Sequence, residues 1–190
     1  MDYLTVSNSG LSRYREFQVT TRYRLGGHEL NASFVRSEAS GDLNDLNQFF
    51  GNTPQPIIRA NERSRLSFDV PNRVLLWGQF EVPFGITLSP VFDWHTGFPY
   101  SVVNEELEFV GPRNNAGRFP AFSSFDLQVT KAISLHVRNK SWKARVGLRV
   151  FNLFNHYNPR DVQNNLGSAR FGTFLNSVDR LFRGKLVLEF

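Results

Sequence analysis

The side chains of this 190-residue chain that are able to do chemistry are scattered rather than gathered. The four histidines, His28, His95, His136 and His156, fall in separate segments, and none has a partner at the spacing a metal ion needs. Cysteine is absent, which removes thiolate metal sites and disulfide frameworks. No Gly-x-Ser-x-Gly elbow, phosphate loop or His-Glu-x-x-His segment occurs. No catalytic residue, metal or cofactor is therefore expected, and the chain does not read as an enzyme. Glu105, Glu106 and Glu108 form a small acidic run. It reads either as a site that captures a cation or ligand, or as a solvated loop.

The basic residues carry more pattern. The net charge is +5, yet Lys and Arg do not form a run, so nucleic-acid binding is not expected. Arg22, Arg24, Arg73, Lys143, Arg145, Arg149, Arg183 and Lys185 instead recur singly at alternate positions. Such residues act together only if strands hold them on one face. Two readings follow. They make a basic wall that attracts an anionic solute, or they pair with acidic residues of neighbouring elements, including Glu16, Glu81, Asp126 and Glu189.

Strands of the required kind are present. In 180–190, Phe182, Gly184, Leu186, Leu188 and Phe190 fall on one face, with Arg183, Lys185 and Glu189 on the other. This period of two is the signature of a strand. In 141–151, Trp142, Ala144, Val146, Leu148 and Val150 share a face. In 124–137, Phe125, Leu127, Val129, Ile133 and Leu135 do so. In 72–84 the apolar set is Val74, Leu76, Phe80, Val82 and Phe84, and in the next strand it is Ile86, Leu88, Phe92 and Trp94. Phe17, Val19, Tyr23 and Leu25 oppose Glu16, Gln18, Arg22 and Arg24. A weaker strand over 28–37 places Leu30, Ala32 and Phe34 together. The count is about seven.

Connections alternate in length. Gly26-Gly27, Phe84-Gly85 and 138–140 are tight, whereas 38–70, 98–121 and 155–178 are long and polar. No run approaches the roughly 20 apolar residues of a membrane helix. Alternating strands with short turns at one side and long loops at the other instead suit an antiparallel transmembrane β-barrel. Aromatic residues near strand ends, including Tyr14, Tyr23, Trp94, Tyr100 and Trp142, fit interfacial girdles. Phe98 and Tyr100 also suit stacking on a carbohydrate. Asn152, Asn155 and Asn158 are expected to bond backbone and shape the start of a loop. Lys131 sits on an apolar face, so either it snorkels at the boundary or a bulge turns it away. A soluble β-sandwich that binds a ligand, and a small autonomous outer-membrane barrel with a porin-like or adhesion role, are the alternatives. The first residues lack the pattern of a signal peptide, which is read as an internal start.

Two sets of residues carry a resemblance. The ending with Phe182, Leu186, Leu188 and Phe190 resembles the C-terminal signature of bacterial outer-membrane proteins, which implies recognition by the barrel assembly machinery. Asp69-Val70-Pro71-Asn72-Arg73, Glu81-Val82-Pro83-Phe84-Gly85, Gly97-Phe98-Pro99-Tyr100, Phe125 to Lys131 and Arg149 to Asn158 follow in order. Together they resemble the last strands of TonB-dependent receptors, the kind with a carboxypeptidase-regulatory-like N-terminal domain. The likeness runs from about Arg13 to Phe190. It implies residence in the outer membrane, contact with its lipid, and uptake of a scarce solute of the siderophore, cofactor or oligosaccharide class. It also implies a plug domain inside the barrel, moved by an inner-membrane energy-transducing complex. No plug is recognised in residues 1–190, and family barrels have about 22 strands. The expectation is therefore an all-β partial arc of a larger barrel, with Arg22, Arg24, Arg73, Arg145, Arg149 and Arg183 facing the lumen.

Overall fold

A computed structural model describes residue 8 and residues 10–42, 63–137 and 140–189. All regular structure in it is strand: β1 (Ser12–Leu25), β2 (His28–Gly41), β3 (Ser64–Arg65), β4 (Asn72–Val82), β5 (Ile86–His95), β6 (Pro99–Tyr100), β7 (Gly117–Arg118), β8 (Phe122–Val137), β9 (Lys140–Phe151), β10 (Pro159–Val162), β11 (Phe174–Ser177) and β12 (Leu181–Glu189). Seven of these form an antiparallel sheet in the order β1-β2-β4-β5-β8-β9-β12, and β3 pairs with β2. The two remaining pairs, β6-β7 and β10-β11, are small sheets within the long connections. All seven strands expected from the alternation are present. Among the described residues the sheet does not close, because β1 and β12 each have one strand neighbour.

The register decides what the sheet can be. Tyr23 lies opposite Leu30, Leu30 opposite Gly78, Leu76 opposite Phe92, and Phe92 opposite Phe125. Leu127 lies opposite Val150, and Val150 opposite Phe182. Since facing residues point to the same side of a sheet, the seven apolar rows fuse into one apolar surface. A slip of one residue at any pairing would have broken it. The opposite surface collects most of the polar residues; Lys131 and, near the long-loop ends of β1 and β2, Arg13, Arg15, Arg36 and Glu38 share the apolar side.

One expectation about sidedness is corrected, and one open alternative is narrowed. Tyr14 shares its side with Glu16, donating its hydroxyl to the Glu16 carboxylate at 2.8 Å, so it lies on the polar surface rather than in an apolar girdle. Lys131 does stand on the apolar side. It lies opposite Ile86 and Val146 in ladders that run without a break, so no bulge turns it. Ile86 opens β5 directly after the turn, which places Lys131 beside the β4–β5 hairpin. Phe84 belongs to that turn and not to β4; its φ of 68° is left-handed, and it is 85% exposed.

The tight turns after β1 and β4 lie along one edge of the sheet, where β8 also ends and β9 begins. The long connections after β2, β5 and β9 leave from the other. β2 extends to Gly41, so the first long connection starts later than its polar composition suggests. The terminal strand β12 runs towards the short-turn edge; Phe190 itself lies outside the described residues.

Little of this sheet is a core. The buried apolar side chains among the described residues are Ala39, Leu66, Val103, Ala144 and Val150. The buried polar set is longer: Asn31, Asp42, Asp69, Ser101, Arg113, Asn114, Asn152 and Asn158. Large apolar residues of the fused surface stand open, among them Phe17 at 63%, Phe182 at 59% and Leu186 at 65%. Among the described residues no second sheet covers them: the strands of the main sheet pack sideways on one another, and the small sheets pair internally.

Candidate functional site

The polar surface and its long-loop edge hold the charged candidates, while Phe182, Leu186 and Leu188 lie on the apolar side. Arg22, Arg24, Arg73, Arg145, Arg149 and Arg183 occupy one side of the sheet, as the alternation requires. Most are engaged with neighbours. Arg22 and Arg24 both reach Glu29 at 2.8 Å, and Arg73 reaches Asp93 at 2.8 Å. Arg149 lies 3.7 Å from Asp126. Arg149 and Arg183 face each other across β9 and β12, a like-charge pairing that is unfavourable alone. Both guanidinium groups lie over the Phe151 ring, at 4.2 and 5.2 Å, which offsets part of that repulsion. Pairing was thus the better reading for several of these residues. Its partners are Glu29, Asp93 and Asp126, of which only Asp126 was anticipated. Glu29 stood in the weakest predicted strand, which hid its role.

The strand–loop junctions are held by buried polar side chains. Asn152 is 2% exposed and has φ +49°, a left-handed value that asparagine tolerates. Its amide donates to the carbonyls of His156 and Val178 at 2.9 and 2.8 Å and accepts from the His156 N–H at 2.9 Å. Asn158 makes a two-way bridge to the backbone of Ser123, 2.9 Å in each direction. The Asn155 side chain accepts the Arg180 N–H at 2.9 Å, just ahead of β12. Asn152→Ala strands these backbone groups and is expected to lose about 2 kcal/mol. Chemical denaturation of the folded chain checks this; a loss below about 0.5 kcal/mol would show that the loop closes without it.

A second node joins the first two long connections. Asp69 accepts the Ala39 N–H at 2.7 Å and pairs with Arg118, which donates to the carbonyls of Asp69 and Gly97 at 2.7 and 3.0 Å. Arg113 is 1% exposed and donates to the Gly41 carbonyl at 3.0 Å, and Asn114 donates to the Arg65 carbonyl at 2.8 Å. Neither residue was singled out by sequence, since nothing local marks a loop arginine for burial.

These nodes frame a cleft of about 610 Å³ at the long-loop edge, on the polar side. All three long connections supply walls: Ser67 from the first, Gly97, Phe98 and Phe119 from the second, Asn158, Arg160 and Val178 from the third. His95 and Phe122 form its floor, with rings 4.9 Å apart and nearly parallel. Gly97 passes so close to Phe119 that a Cβ would stand 1.8 Å from the Phe119 carbonyl oxygen. Gly97→Ala is expected to force these loops apart, lowering the unfolding midpoint; an unchanged midpoint would argue that the walls are loosely held.

Other sequence candidates go elsewhere. Tyr100 packs edge-on against Phe119 and Phe174, at 6.0 and 6.1 Å, as loop core. Glu108 is tied to Asn104 within its own turn. Among the described residues no group of His, Asp and Glu could hold a metal ion. No protein-family model, curated protein or solved structure matches the chain.

Proposed function

We propose that this chain is part of the wall of a TonB-dependent receptor in the outer membrane, where the parent protein takes up a scarce solute. One observation carries the membrane reading: the register gathers the apolar residues of seven strands onto one uncovered surface. Soluble monomers rarely expose apolar patches beyond a few hundred Å². A lipid-facing wall needs such a surface backed by a polar one. Lys131 beside the β4–β5 turn suits this, since a lysine near the interface costs little.

The rest of the proposal follows from the sheet's edges and the ordered phrases between Arg13 and Phe190. With seven strands, β1 and β12 run in the same direction, so they are not antiparallel partners for each other. Further strands of the parent would take both edges, consistent with a wall of about 22. The polar surface would face the plug, the energy-transducing complex would act through the plug, and the solute would be of the siderophore, cofactor or oligosaccharide class. Phe182, Leu186 and Leu188 on the apolar side, with Phe190, would serve the barrel assembly machinery.

Fractionation of cells expressing the whole gene tests this. The product is expected in the outer membrane, resistant to alkaline extraction, with a plug and about fifteen further strands encoded ahead of Met1. Release into the soluble fraction would overturn the membrane reading. An unrelated upstream sequence would overturn the receptor reading.

A further inference from the structure

The cleft at the long-loop edge has a chemical character of its own. Its floor is the His95–Phe122 stack, and Phe98, 43% exposed, stands at 5.4 Å from the His95 ring. Phe119 closes one wall, held there by its N–H bond to the Phe98 carbonyl at 2.9 Å. His95, Phe98, Phe119 and Phe122 all line the space. The lining contains no carboxylate; its one permanently charged group is Arg160. Arg160 is exposed, and its guanidinium makes one long contact, 3.4 Å, to the Asn176 carbonyl. The nearby Asp161 carboxylate is taken by the Asn176 side chain. His95 directs Nδ1 to the Thr96 carbonyl at 2.9 Å, which leaves Nε2 as its remaining polar atom.

We infer that this cleft binds a small ring-bearing carboxylate, its ring packed against Phe98 and Phe119 over the His95–Phe122 floor and its anion on Arg160. Each half of the assignment has a physical warrant. Aromatic faces favour a planar or apolar ring in offset or edge-on contact. A guanidinium matches a carboxylate through two parallel N–H bonds, which fixes its orientation. The volume lies within the range of small-molecule sites, where a mostly apolar lining carries a few convergent polar groups. Arg118 holds the Gly97 carbonyl and Asn158 the Ser123 backbone, so Gly97 and Asn158 of the lining are tied down before a ligand arrives. The inference rests on the cleft alone and stands whether or not the sheet lies in a membrane.

The test is a calorimetric or NMR titration of the full 190-residue chain with phenylacetate, acetate and benzyl alcohol. It is run in detergent micelles, or in buffer if the chain folds there, so a failure of the membrane reading does not decide this one. Phenylacetate should bind at least about tenfold more tightly than either acetate or benzyl alcohol. Arg160→Gln should weaken phenylacetate by about tenfold and leave benzyl alcohol unchanged. Phe98→Ala should weaken both. Phenylacetate no tighter than acetate, or unaffected by Arg160→Gln in a chain with an unchanged circular-dichroism spectrum, would overturn the assignment. Benzyl alcohol binding as well as phenylacetate would reduce it to an apolar crevice and equally overturn it.

Discussion

Leu148→Arg is expected to destabilise the folded chain in a lipid bilayer by about 2–4 kcal/mol, the cost of an arginine on the lipid face of a barrel. Leu148 is 49% exposed on the apolar surface of β9, opposite Val129 and Gly184, so no neighbouring carboxylate is placed to pair with the new charge. Thr20→Arg puts the same group on the polar surface of β1, where it is already half in water, and should cost less than about 0.5 kcal/mol. Urea unfolding from lipid vesicles gives both values. The contrast between them matters more than either alone. A sheet whose two surfaces both meet water would show little difference.

Asp69→Ala should cost about 3 kcal/mol. The Asp69 carboxylate is 3% exposed and Arg118 23%, so removing the anion leaves a largely buried guanidinium and an unpaired Ala39 N–H. Breaking a buried pair on one side is strongly destabilising, at about 3–5 kcal/mol. The lower end applies because Arg118 keeps contact with water and with two carbonyls. Asp69→Asn retains an acceptor for Ala39 but loses the charge, and should fall between wild type and Asp69→Ala. Denaturant unfolding of both variants, with Arg118→Ala and the double variant, completes the cycle. A double variant as damaged as the sum of the single ones would show that the pair is not coupled.

The strands and their sidedness were legible because a period of two survives without any knowledge of neighbours. Arg183 and Lys185 could be put on the face opposite Leu186 and Leu188 from the six consecutive residues 183–188. The joining of seven apolar rows into one surface was not legible, since it depends on register between strands. Tyr14 could have been placed on the polar side by its parity with Glu16; nearness to a strand end says nothing about face. Loop structure was hidden for a different reason. Asp69 and Arg118 are 49 residues apart, and Asn158 and Ser123 are 35 apart. Such side chains look like ordinary loop polar residues until the chain brings them together. The cleft followed suit. Phe98 was visible as a loop aromatic, while Arg160, Phe119 and the His95–Phe122 floor had no local mark.

The central claim is that one surface of this sheet meets lipid and the other does not. The chain has no cysteine, so single cysteines can be introduced one at a time through residues 144–150 of β9 and labelled with a nitroxide. β9 is paired on both sides, and its apolar and basic residues alternate. In phospholipid vesicles, collisions with oxygen should peak at the exposed positions 146 and 148, and collisions with a water-soluble nickel chelate at 145, 147 and 149. A nickel signal equally high on both sets would contradict the account.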